Sequence, residues 1–134
     1  IQDSPYAQTQ CPDLILSEHS TWKRIYLHRM KHSEICIAST GLHQSSGWKI
    51  AEYLAAGRAI VSEPLCYEVP GPFQAGENYL TYTSADGCIE QIRTLLAHPG
   101  QILQMGQRNR AYYDTWLRPD QIVTKALEQA KILL

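Results

Sequence analysis

The stretch that decides the fold runs from residue 35 to residue 64, ICIASTGLHQSSGWKIAEYLAAGRAIVSEP. It opens inside a compact apolar run, 34–39 (EICIAS), with the length and β-branched content of a buried strand. A loop with two glycines follows at 40–47 (TGLHQSSG). Residues 48–56 (WKIAEYLAA) then read as a helix. Ser46 stands where a cap is needed at its start, and Gly57 where a left-handed residue ends it. Residues 58–62 (RAIVS) read as a second short buried strand. Strand, loop, helix and strand in this order make one crossover unit of a parallel sheet.

The pattern continues outward. Upstream, residues 1–12 read as an irregular start and 13–17 (DLILS) as a strand. Ser20 or Thr21 is placed to cap a helix to about residue 31, with Trp22, Ile25, Tyr26 and Met30 at helical spacing. Downstream, 63–78 is a Pro/Gly-rich loop and 79–82 a brief strand. Ser84 caps a helix to 97, which His98, Pro99 and Gly100 end; a further helix covers 101–117. Pro119 sits in the first turn of a last helix to about residue 133. The expected fold class is α/β: a Rossmann-like three-layer α/β/α arrangement with a short parallel sheet and a helical C-terminal tail. The reading is a single domain over 1–134, with an α/β core at 13–97 and C-terminal helices at 98–134. Three or four strands fall short of the five or six of a complete doubly wound sheet. Residue 1 is Ile rather than Met. Together these predict a piece of a longer chain whose sheet begins upstream.

Composition narrows the function. With 44% hydrophobic and 19% charged residues the chain reads as globular rather than disordered. Lys plus Arg number 12 and Asp plus Glu 13, which argues against nucleic-acid binding through bulk charge. No run approaches the ~20 apolar residues of a transmembrane segment, and no signal peptide opens the chain; residence is expected to be cytoplasmic. Cys11, Cys36, Cys66 and Cys88 form no CxxC pair and read as buried free thiols of a reducing compartment. His28 and His32 have a metal-compatible spacing, but no HExxH or adjacent carboxylate completes a site, so no metal is expected.

In open α/β sheets ligands bind beyond the carboxyl ends of the strands. The 40–47 loop and the start of the following helix lie there. The N–H groups of Ser46, Gly47 and Trp48, with the helix dipole, favour an anion such as a phosphate. Lys49 adds a positive charge one turn in, and Glu52 shares its face. Lys49 to phosphate and Glu52 to hydroxyls would suit a phosphorylated sugar; a surface ion pair worth a few tenths of a kcal/mol is the alternative. Glu63 and Glu68 read as solvated loop acids. Tyr67, Phe73 and Tyr79 read as packing under the Pro-rich loop.

The order of motifs adds to this. Tyr26, Leu27, Met30, Ser33, Ile35, Gly41, Lys49, Glu52, Leu54, Ala55, Gly57, Ile60 and Val61 follow the pattern of the C-terminal half of GT-B glycosyltransferases. The chain most resembles the group-1 branch with its spore-maturation-like members. Phe73, Gly76, Asn78, Tyr79 and Tyr82 resemble a downstream element of that family, and 84–99 its next helix. The resemblance covers about residues 22–130. It implies an incomplete GT-B C-terminal domain that binds a nucleotide-sugar donor of UDP or GDP type. Ser46, Gly47 and Lys49 would meet the diphosphate and Glu52 the ribose. Gly41, His43 and Gln44 would lie on the sugar or phosphate side. Many retaining members carry an acid eight residues before the helix carboxylate; here that position is Gln44, which can hydrogen-bond but cannot supply a charge. The resemblance further implies no obligatory metal, a partner N-terminal domain of the same protein carrying acceptor and base, and no turnover by this part alone. A non-catalytic α/β interaction or ligand-binding module that keeps the fold is the alternative.

Overall fold

The computed structural model describes residues 4–132. Residues 1–3 of the expected irregular start, the side chain of Thr21 as a cap, and residue 133 lie outside the described residues. The backbone gathers into two compact units that part between His32 and Ser33.

The first unit is helical. Helix α1, Pro5–Gln10, forms where an irregular start was expected. Its signal is the Ser-Pro pair: the Ala7 N–H donates to Ser4 Oγ at 3.1 Å, and Pro5 fits the first turn, where no N–H is needed. The expected strand at 13–17 is absent. Pro12–Leu14 is instead a 3₁₀ turn, closed by the Ile15 N–H on the Pro12 carbonyl at 3.1 Å. Pro12 has a fixed φ and no ladder donor, which favours a turn over a strand. A second 3₁₀ turn, Glu18–Thr21, precedes helix α2, Lys23–His32.

The second unit holds the sheet. Strands β1 (Ile35–Ala38), β2 (Ala59–Ser62) and β3 (Leu80–Thr81) pair in parallel in that order. Ile35 stands opposite Ala59, and Val61 opposite Leu80. Among the described residues there are three strands, at the lower end of the expectation. Helix α3, Gly47–Ala55, joins β1 to β2. Gly57 at φ +62° ends it as expected, and the Arg58 N–H reaches back to the Tyr53 carbonyl at 3.0 Å. A long loop links β2 to β3, followed by α4 (Ala85–Ala97), α5 (Pro99–Tyr112), a π-helical turn (Tyr113–Leu117) and α6 (Pro119–Ile132). Ser84 caps α4, accepting from the Gly87 N–H at 3.1 Å. Pro99 starts α5 instead of lying in a break before it. Like Pro119, it fits a first turn because its missing N–H would have no intrahelical partner.

Alternation along the strands separates two faces. Ala59 and Val61 are buried against Leu95 of α4 and Met105 of α5, with Ile35, Leu80 and Ile92 at the margin. Cys36, Ala38, Ile60 and Ser62 are buried on the other face. Helix α3 packs on β1 and β2, and the Tyr53 hydroxyl donates to the Ile37 carbonyl at 3.2 Å. This is a Rossmann-like α/β/α arrangement around a short open parallel sheet, with β2 as its fully buried centre. Burial raises the Cys36 thiol to about 11, opposed in part by the Arg58 charge. All four cysteines are free; Cys36 is buried, Cys11 and Cys88 are half-buried, and Cys66 is exposed, against the expectation of burial throughout.

Candidate functional site

The carboxyl ends of β1 and β2 carry two loops that hold each other. After β1, the chain turns through Thr40 and Gly41 into a single 3₁₀ turn, Leu42–Gln44. His43 and Gln44 both adopt left-handed backbone, at φ +55° and +61°. For residues with a Cβ this costs about 1 kcal/mol each, so surrounding contacts must sustain it. Within the loop the N–H groups of Gly41, Gln44 and Ser45 are committed to the Ser45, Gly41 and Leu42 carbonyls. From outside, Glu63 Oε2 accepts from the Thr40 N–H at 2.6 Å and from its hydroxyl at 2.7 Å. The Tyr67 hydroxyl donates to the His43 carbonyl at 3.1 Å. Beneath them the Tyr82 hydroxyl donates to the Ala38 carbonyl at 3.0 Å, tying the chain after β3 to the end of β1.

Helix α3 starts at this edge. Ser46 occupies the cap position with αR backbone, but its side chain makes no capping bond, contrary to expectation. A cap side chain must come from extended backbone to reach the N2 or N3 amide. The first-turn N–H groups thus keep the orphan character of an uncapped helix start. Gly47 has φ +56°, and an added Cβ would meet only the Ser39 carbonyl, at 3.9 Å. Glycine is demanded there by backbone conformation rather than by a close neighbour. Lys49 is exposed in the first turn, and among the described residues no ion pair holds it. Glu52 is half-buried on the next turn. Ser46, Gly47, Lys49 and Glu52 therefore share the start of one helix, and Gly41, His43 and Gln44 form the loop leading into it. Of the latter, Gly41 and Gln44 have their N–H groups already spent and the Gly41 carbonyl accepts from Gln44, which leaves the exposed His43 and Gln44 side chains for a ligand.

Other features escaped the sequence reading. Trp48, in the first turn of α3, is 89% exposed, and Leu42 in the preceding loop is 82% exposed. Glu63 is not a solvated loop acid but a half-buried acceptor; its place directly after a strand end was the available signal. A cleft of about 360 Å³ lies between α3 and the loop after β2, lined by Ser46, Gly47, Ile50, Leu65, Val69 and Phe73 among others. The far side of that loop is clamped by α5 and the π turn. Tyr112 donates its hydroxyl to the Pro70 carbonyl, and Trp116 packs on Gly71. Phe73 stacks on Tyr79 at 5.2 Å between ring centres, the packing role expected of both. Among the described residues no cluster of three or more His, Cys, Asp or Glu side chains is placed to hold a metal. None of the described helices is long and apolar enough to cross a membrane.

The two Thr40 bonds, the side-chain one foremost, hold the Glu63 carboxyl below its usual range. A group whose pKa is depressed by folding stabilises above its unfolded pKa, and that contribution is lost as pH falls through the folded value. In an acid titration followed by NMR, the Thr40 amide should therefore shift with a midpoint below the ordinary glutamate value of about 4.3. A midpoint at or above that value would contradict the bonding described.

Fold and site define a Rossmann-like α/β unit with an uncapped helix start and a braced, strained loop at the carboxyl edge of its sheet. The chain belongs to the glycosyl transferase-like family, whose model matches residues 12–128. It is thus a glycosyltransferase-type domain, a transferase by class. No curated protein and no solved structure matches it.

Proposed function

We propose that this chain is the donor-binding, C-terminal part of a GT-B-type glycosyltransferase that moves a sugar from a nucleotide-sugar to an acceptor. Ser46, Gly47 and Lys49 bind the diphosphate. Glu52 binds the ribose, and Gly41, His43 and Gln44 face the sugar or phosphates. The observation that carries this reading is the uncapped start of α3 at the carboxyl edge of the sheet, beside the exposed Lys49. Orphan N–H groups, helix dipole and ammonium together stabilise the negative charge that develops on a departing diphosphate. On this reading no metal is obligatory. Acceptor and base belong to a partner N-terminal domain, and this part alone binds donor without turnover. The reading includes a cytoplasmic residence, which the four free thiols support.

Calorimetric titration of UDP and GDP into the protein tests it. Binding of one nucleotide is expected, weakened about tenfold or more in Glu52→Ala, the scale of a lost charge-assisted hydrogen bond. Equal affinity in wild type and mutant would remove Glu52 from the ribose site. Gln44 favours a second reading, a ligand-binding or interaction module without transfer, because an amide cannot act as acid, base or charge. Nucleotide binding without transfer when both halves of the protein are present would select it.

A further inference from the structure

Resting on the donor-binding reading above, we infer that Glu63 is a positioning residue for the donor loop: it locks the segment after β1 in the shape that the ligand meets. Four observations converge. The loop contains consecutive left-handed residues, His43 and Gln44, a conformation that persists only where neighbours over-determine it. Its own bonds close a small ring between Gly41 and Ser45 but do not anchor that ring to the sheet. The anchor is Thr40, where both the N–H and the hydroxyl converge on a single carboxylate oxygen, Glu63 Oε2, at 2.6 and 2.7 Å. Glu63 is itself fixed by its place at the end of β2, with its N–H directed to the Ala38 carbonyl at 3.4 Å.

The bonding also defines what Glu63 does not do. Oε2 is occupied by Thr40, so this oxygen is not an open base. The neighbouring Tyr67, donating to His43, braces the far end of the same segment. Two residues of the loop after β2 thus hold two points of the loop after β1. Between those points lie Gly41 and Leu42, and beyond them the start of α3. A loop freed at Thr40 would sample other conformations at His43 and Gln44 and present the helix start less often in its binding shape. Its affinity would fall with the fraction of competent molecules.

Three variants test this: Glu63→Gln removes the charge, Thr40→Val removes the hydroxyl at constant shape, and Thr40→Ser restores it. Amide hydrogen exchange over residues 41–46 and calorimetric affinity for UDP and GDP are measured on each. Exchange is expected to accelerate, and affinity to fall about tenfold, in Glu63→Gln and Thr40→Val, the loss typical of a bond to a charged group. Thr40→Ser is expected to stay within about twofold of wild type, since it keeps both donors. Melting temperatures alongside separate loop release from general unfolding. Unchanged exchange in Glu63→Gln and Thr40→Val would overturn the inference, as would accelerated exchange with undiminished nucleotide affinity. If the wild type binds neither nucleotide, the donor reading fails on its own, while exchange still decides whether Glu63 locks the loop.

Discussion

Replacing Asn109 with alanine is expected to destabilise the protein by about 3 kcal/mol or more, because it orphans several buried polar groups at once. Asn109 is fully buried in α5. Its amide donates to the Arg58 carbonyl at 2.8 Å and to the Asn78 carbonyl at 2.9 Å, while its oxygen accepts from the Asn78 amide at 3.1 Å. Asn78, also buried, accepts in turn from the Gln74 N–H at 3.0 Å. One side chain thus ties α5 to the entry of β2 and to the segment before β3. Truncation leaves two carbonyls and one amide buried and unpaired, so the cost is desolvation without compensation rather than loss of packing alone. Asn109→Asp is expected to cost at least as much, since a carboxylate cannot donate to either carbonyl. Urea denaturation of the three proteins measures this. A loss below about 1 kcal/mol for Asn109→Ala, the net worth of a single ordinary hydrogen bond, would show that the network is not what holds these elements.

Gly106→Ala separates tertiary contact from local propensity. In an open helix this exchange stabilises by about 1 kcal/mol. Here a Cβ at Gly106 would lie 2.5 Å from the Gly57 carbonyl oxygen, nearer than a real Cβ comes to backbone. Gly57 cannot give way easily: it holds a left-handed turn, and its own Cβ position is 3.3 Å from the Gly106 carbonyl and from Arg110 Cβ. The two backbones must part, and α5 must move off the corner that joins α3 to β2. Overpacking of this kind costs roughly 2 kcal/mol, enough to reverse the propensity gain. Gly100, at the start of the same helix, has nothing within 4 Å of its Cβ position. Gly100→Ala is therefore the control and should be neutral or stabilising. Thermal melts in which both substitutions move the midpoint in the same direction would refute the close-contact account.

How much of this is legible in the sequence follows from the range of each interaction. The crossover from β1 through α3 to β2 was readable because short apolar runs, a glycine stop and helical spacing are local signals. So was the Ser84 cap, whose bond spans three residues. Other local signals mislead when read alone: the Ser-Pro pair starts α1 where an irregular segment is expected, and the apolar run at 13–17 forms no strand. A strand needs a partner, and apolar composition does not supply one. At the site, the residues along α3 could be named from spacing, since Ser46, Gly47, Lys49 and Glu52 lie on one helix. The bonds of Glu63 to Thr40 and of Tyr67 to His43 could not, because they join positions 23 and 24 residues apart.

The sequence by itself determined the α/β class, the order of the crossover and the place where α3 starts. These depend on periodicity, β-branching and glycine, which act within a few residues. Only the tertiary structure decided that Ser46 leaves α3 uncapped, that a loop acid holds the strained turn after β1, and that Gly106 and Asn109 seat α5 against the entry to β2. Those outcomes depend on which distant groups meet, and on whether a buried donor finds its acceptor. Local pattern does not encode that meeting.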